Sequence, residues 1–220
     1  MRQNFHQQLD ELKARLLKMA HQVDRSFGDS IEAYRTADLD LSQRVIGAEV
    51  QINMMEREID RLAIDLLALE QPTAIDLRFI LSIMRINSDL ERVGDQSVSI
   101  ATRVHELSSS QPYDFQVNIP LLASHAREMF AIAMRSFTDG NADLANTVLA
   151  LDDEVDSMNA EAFTSLSRLI ASRPDLAPQA MNMLIVARNI ERVADHATNI
   201  AEDVIFWRSG DDIRHGGHHA

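Results

Sequence analysis

The chain has 220 residues, a formal net charge of −13 and an isoelectric point near 4.9. Such a surface repels nucleic-acid phosphates and anionic lipid heads, which argues against DNA or RNA binding. It contains no cysteine, so disulfides, thiolate metal sites and thiol nucleophiles are excluded.

Aromatic residues make up only 5% of the chain, so its cores must be built from Leu, Ile, Val, Met and Ala. That supply suits helices. The opening MRQNFHQQLDELK lacks an apolar signal core. No apolar run approaches the ~18 residues of a membrane span. A soluble protein is expected, touching a membrane only through partners.

Apolar residues recur at helical spacing over most of the length. The first predicted helix runs from about Asn4 to Arg35, with Leu9, Leu12, Leu16, Met19, Val23 and Phe27 turned inward. Asp38 is a candidate N-cap for a second helix ending near Leu69. Gln71-Pro72 breaks it, and Thr73 with Asp76 forms a capping-box pattern opening a third helix to about Leu107. Residues 108–112, Ser-Ser-Ser-Gln-Pro, read as a linker. A fourth helix starts near Pro120, and Asp139-Gly140-Asn141 is a turn. A fifth helix covers about Ala142 to Ala171. Arg173-Pro174 ends it, and a sixth runs from about Leu176 to Trp207.

The fold class is therefore all-α: two tandem three-helix bundles, residues 1–110 and 111–209, with a polar tail at 210–220. The tail's histidines could bind a metal, but a solvated tail is the simpler reading.

An internal duplication supports this division. Residues 86–101 read INSDLERVGDQSVSIA and residues 186–201 read VARNIERVADHATNIA. Glu91 and Asp95 thus recur as Glu191 and Asp195. Positions i and i+4 lie about 40° apart on a helix, so each pair projects together. Leu90, Val93, Ser97, Ile100 and Ala101 occupy the opposite, core-facing side. Asn199 and Glu202 extend the second pair into a strip.

The second helix carries its own strip, Glu49, Asn53, Glu56 and Asp60, spaced within a narrow arc. In the fifth helix Asp152 and Asp156 repeat the first pair. Aligning Val155-Asp156 with Ile52-Asn53 sets Asn159 against Glu56 and Phe163 against Asp60, so the second strip has lost part of its oxygen set. His196 stands ~100° round the helix from Asp195 and is a poor co-ligand.

Two readings of the strips stand. They are solvated acidic faces, steadied by pairs such as Arg92–Asp95, Arg192–Asp195 and Arg188–Glu191 worth ~0.2–0.5 kcal/mol each. Or strips on neighbouring helices face each other and hold a cation that relieves their repulsion. Oxygen ligands select Mg, Mn, Ca or oxidised iron, with zinc less suited. There is no Gly-rich phosphate loop and no Glu-x-x-His pair of the ferritin-like type.

These segments resemble the PhoU family of phosphate-specific transport system accessory proteins. Ile52-Asn53-Met54-Met55-Glu56 is similar to its VNMME segment, and residues 71–78, QPTAIDLR, to QPTAxDLR. Residues 88–95, SDLERVGD, resemble SDLERIGD. Residues 187–195, ARNIERVAD, resemble ARSIERIGD with Ala194 in place of Gly, and residues 199–202 and 210–215 follow the C-terminal pattern.

The resemblance implies two three-helix bundles and a non-enzymatic, cytoplasmic regulator at the inner face of the membrane. It implies an adaptor between the ATPase of the phosphate ABC transporter (PstB-like) and a sensor histidine kinase (PhoR-like), which holds the phosphate-starvation response off. A homodimer is also implied. So are metal ligands at Glu49, Asn53, Glu56, Asp60, Glu91 and Asp95 in one half. In the other half they are Asp152, Asp156, Glu191, Asp195, Asn199 and Glu202. Iron, zinc, manganese or magnesium would be the ion. Asn159 and Phe163 lead one to expect the weaker cluster in the second half. The alternative from another class is a divalent-metal carboxylate enzyme or a metal store.

Overall fold

The computed structural model describes residues 2–108, 115 and 117–213, with side chains from residue 5 to 106, at 115 and over 117–213. Among these residues there is no strand. Seven α-helices follow in order: α1 (Arg2–Thr36), α2 (Leu39–Leu69), α3 (Ala74–Ser108), α4 (Ile119–Asp139), α5 (Ala142–Leu149), α6 (Asp152–Ser172) and α7 (Ala177–Ser209). A single 3-10 turn, Pro174–Leu176, precedes α7. The predicted linker beyond Ser108 and the histidines of the tail lie outside the described residues. No described helix is long and apolar enough to cross a membrane.

Local chemistry explains the boundaries. Asp38 accepts from the Leu41 amide at 2.9 Å and opens α2. Thr73 Oγ1 donates to Asp76 Oδ2 at 2.6 Å before α3. Asn118 and Asn141 cap α4 and α5 in the same manner, each accepting at 3.0 Å. Gly140 ends α4 in the left-handed region, φ 60°, where a side chain is strained. The α1–α2 turn uses Ala37 at φ 53° for the same purpose.

One prediction needs correction. The fifth helix is two helices, because the chain turns at Ala150 and Leu151 between α5 and α6. Leu149 and Leu151 both pack against the core, which a continuous helix would not allow on one face. Asp152, Asp153 and Glu154 then occupy the first turn of α6, where the positive end of the helix dipole favours them.

Helix α1 packs on α2 and α3, and α4 packs on α5 and α7. The predicted inward residues of α1 are all buried. Buried residues of both halves form one continuous apolar cluster, because α3 and α7 lie against each other along their lengths. Their register is antiparallel and repeats itself. Ser82 Oγ donates to the Asp203 carbonyl at 2.9 Å, and the equivalent Asn182 amide donates to the Arg103 carbonyl at 3.1 Å. Between these two bonds, Asp89 meets His196. A second link joins α1 to α4, where Arg127 binds both carboxylate oxygens of Asp24 at 2.8 and 2.9 Å.

Candidate metal centre

The α2–α3 seam brings the first strip together. Gly94 has no Cβ, and one built there would sit 3.2 Å from Ile52 Cδ1. The missing side chain lets α2 approach α3 at the level of the Glu91–Asp95 motif. Burial pushes the Glu91 carboxyl above the usual range, and Asp95, Glu56 and Glu49 add repulsion that Arg92 only partly offsets. Glu56 is raised likewise, by burial and then by Asp60, with Asp95 adding to it. Asn53 keeps its Oδ1 buried without a hydrogen-bond partner. Asp60 is committed elsewhere: Asn87, fully buried on α3, donates its amide to Asp60 Oδ1 and to the Glu56 carbonyl, both at 2.9 Å.

The α6–α7 seam draws its carboxylates closer. One oxygen each from Asp156, Glu191 and Asp195 lies within 4.8 Å of the others, the one such convergence among the described residues. Glu191 is buried, and its Oε2 has no partner. Arg188 pairs with its other oxygen. Asp152 joins from the start of α6, its Oδ1 held by Thr198 Oγ1 at 3.2 Å. Burial and then the neighbouring carboxylates raise Asp152, Glu191 and Asp195 together. The tighter cluster is thus in the second half, although the α6 strip has Asn159 and Phe163 where α2 has Glu56 and Asp60.

Two predicted residues stand apart from this triad. Asn199 Nδ2 donates to Asp89 Oδ1 across the α3–α7 interface at 3.2 Å. Glu202 is half-buried further along α7. Arg188–Glu191 forms, while Arg92–Asp95 and Arg192–Asp195 are absent from the ion pairs among the described residues.

Sequence reasoning missed the polar seam between the halves. His196 Nδ1 lies 2.8 Å from Asp89 Oδ1, both buried. Arg85 pairs with the buried Asp203 at 3.1 Å and lies over the Phe206 ring. Only the 100-residue offset could have signalled this, by matching Gln96 to His196 and Arg103 to Asp203.

The donor set fits a hard cation. Grouped carboxylates that hold protons above their usual range, with a buried unpartnered oxygen on Glu191 and on Asn53, are relieved by positive charge. Asp156, Glu191 and Asp195 would hold an ion in the second half, and Glu49, Asn53, Glu56, Glu91 and Asp95 are the oxygens the first half would offer. A cation there would screen the carboxylates from one another and lock α2 to α3 and α6 to α7.

Comparison with known proteins agrees with the duplicated layout. The PhoU domain profile matches twice, over residues 16–104 and 119–204. The chain is 36% identical over 217 residues to the phosphate-specific transport system accessory protein PhoU homolog of Pseudomonas aeruginosa, covering 98% of this chain and 89% of that one. It is 30% identical over 213 residues to the PhoU of Escherichia coli strain K12, covering 97% and 88%. The crystal structure of PhoU from Pseudomonas aeruginosa superposes with a TM-score of 0.91 at 34% identity, covering 94% of this chain and all of that one. The phosphate transport system regulatory protein PhoU from Streptococcus pneumoniae gives 0.85 at 27% identity, covering 94% and 98%. With both halves matched and relatives covered over most of their length, the chain belongs to the PhoU family.

Proposed function

We propose that the protein is a negative regulator of the phosphate-starvation response and of high-affinity phosphate uptake. It acts without catalytic turnover, as a cytoplasmic adaptor between the ATPase of the phosphate ABC transporter and the sensor histidine kinase. It reaches the membrane through these partners and works as a homodimer. The observation that carries this reading is the full-length match to phosphate-specific transport system accessory proteins, with both domain copies retained. The two carboxylate clusters serve as metal sites that brace each half. Manganese, iron, zinc or magnesium is the ion, bound through oxygen.

The test is a deletion strain grown in high phosphate. Phosphate-starvation genes should be expressed there, and the intact gene should silence them again. Normal repression in the deletion strain would contradict the regulator. The rival, a metal-carboxylate enzyme or metal store, draws on the Asp156–Glu191–Asp195 triad. It would be favoured by turnover of phosphate esters or by uptake of many ions per chain.

A further inference from the structure

The triad does not face a closed interior. It borders a cavity of about 960 Å³ lined by residues of α3, α6 and α7, with Asp156 and Glu191 on its wall. That volume lies within the range of small-molecule sites, roughly 300–1,000 Å³.

The walls are of two kinds. Arg188 and Arg192 supply guanidinium groups beside the carboxylates. Arg188 is engaged by Glu191. Arg192 makes no ion pair among the described residues, though its charge reaches Asp195. The other wall is apolar: Phe163, Leu184, Ile185 and Ala160. Phe163 is 62% exposed and Ile185 38%, so both present apolar surface to the cavity.

Charge decides what can enter. Asp152, Asp156, Glu191 and Asp195 set four negative charges against the two guanidiniums, so an anion is repelled. A divalent cation on the triad cancels that excess. Bound through one oxygen each, the three carboxylates also leave open positions among the six or more a hard cation takes. Guanidinium geometry matches phosphate and carboxylate. An inorganic oxyanion would fill only a fraction of the cavity and leave Phe163 and Ile185 wet.

We infer that the cavity beside Asp156, Glu191 and Asp195 binds a small oxyanion carried on an apolar or aromatic body, and does so only when the triad holds a cation. The oxyanion takes the cation and Arg192, and the body lies on Phe163 and Ile185. The loss of a carboxylate at the Phe163 position then has a use: it opens the second half to a ligand. This rests on the metal reading of the triad.

The probes are Mn(II), inorganic phosphate, phenyl phosphate and benzoate. Calorimetry follows each anion into the full chain with Mn(II) and after chelation, and the bound Mn(II) is watched by electron paramagnetic resonance. The variants are Arg192→Gln, Phe163→Ser and Glu191→Gln/Asp195→Asn. Phenyl phosphate or benzoate should bind the Mn(II) form at least tenfold more tightly than the chelated form, and perturb the Mn(II) signal. Whichever binds better assigns the head group as phosphate or carboxylate. Arg192→Gln should weaken the anion about tenfold with Mn(II) still bound. Phe163→Ser should erase the preference for phenyl phosphate over inorganic phosphate. Mn(II) binding lost in the Glu191/Asp195 variant, with no anion binding by wild type, would overturn this inference and leave the metal site standing. Anion binding that ignores Mn(II) would also overturn it. Mn(II) binding unchanged in the Glu191/Asp195 variant, or absent from wild type, would remove both.

Discussion

Gly94 and Ile52 set how closely α2 meets α3, and the second half has solved the same contact differently. There the equivalent residues are Ala194 and Val155. The methyl group that Gly94 lacks is returned at Ala194, and the one that Val155 lacks is present at Ile52. Gly94→Ala should gain about 1 kcal/mol of helix propensity. It also forces a Cβ to 3.2 Å from Ile52 Cδ1 and 3.3 Å from its Cγ2. Ile52 is 1% exposed and has nowhere to go, so overpacking of about 1–3 kcal/mol outweighs the gain. The single variant should lose about 1 kcal/mol. Ile52→Val alone should lose about 1 kcal/mol through its small cavity. The double variant removes the tighter contact, the one to Cδ1, leaves the Cγ2 contact at 3.3 Å, keeps the propensity and fills the cavity. It should return to within about 0.5 kcal/mol of wild type, a coupling of about 1.5–2 kcal/mol. Urea unfolding followed by circular dichroism measures all four proteins. Additive losses in the double variant would refute the close-approach argument.

Other outcomes test other links. Ala37→Gly relieves the left-handed residue at the α1–α2 turn and should raise stability by about 1 kcal/mol in the same unfolding assay. Asp89→Ala strips His196 and Asn199 of their buried acceptor and should cost about 3 kcal/mol; a loss below 1 kcal/mol would mean the polar seam does not hold the halves. The raised carboxyls Glu56, Glu91, Asp152, Glu191 and Asp195 bind protons more tightly folded than unfolded. Chelated protein should therefore lose stability as pH rises through and above the ordinary carboxylate range of about 4. Mn(II) should reverse that slope, since the cation needs the groups ionised; thermal melts across pH, with and without chelator, read both slopes.

Much of the fold was written locally. Asp38, Thr73–Asp76, Asn141 and Gly140 act through neighbours three or four residues away, so these helix ends could be read from a short string. The pairing of Glu91 with Asp95 and Glu191 with Asp195 was equally local. Asn199 is eight residues from Glu191, about 80° round the helix, and its amide turns toward α3 and Asp89. Asp60 sits correctly on its strip, but Asn87 claims its Oδ1 from another helix. The break at Ala150–Leu151 had no glycine or proline to mark it. Its only trace was the acidic run Asp152-Asp153-Glu154, which reads equally well inside one long helix. His196 meets a partner 107 residues away in sequence, beyond the reach of any local rule.

The antiparallel register of α3 on α7 has a consequence for how the molecule can be addressed. Two identical chains meeting about an axis must make every contact twice, once from each side. Two halves joined in one chain escape that obligation. Ser82–Asp203 and Asn182–Arg103 still echo each other, but Asp89 faces His196 where its counterpart positions hold Asn189 and Gln96. Arg85 likewise has Ile185 as its counterpart and cannot be mirrored. The near-symmetry is therefore broken at its centre by charge, and at its periphery by Asp60 against Phe163. Both seams are acidic, but only the second carries an aromatic side chain on its rim, so the two faces of the molecule are not interchangeable.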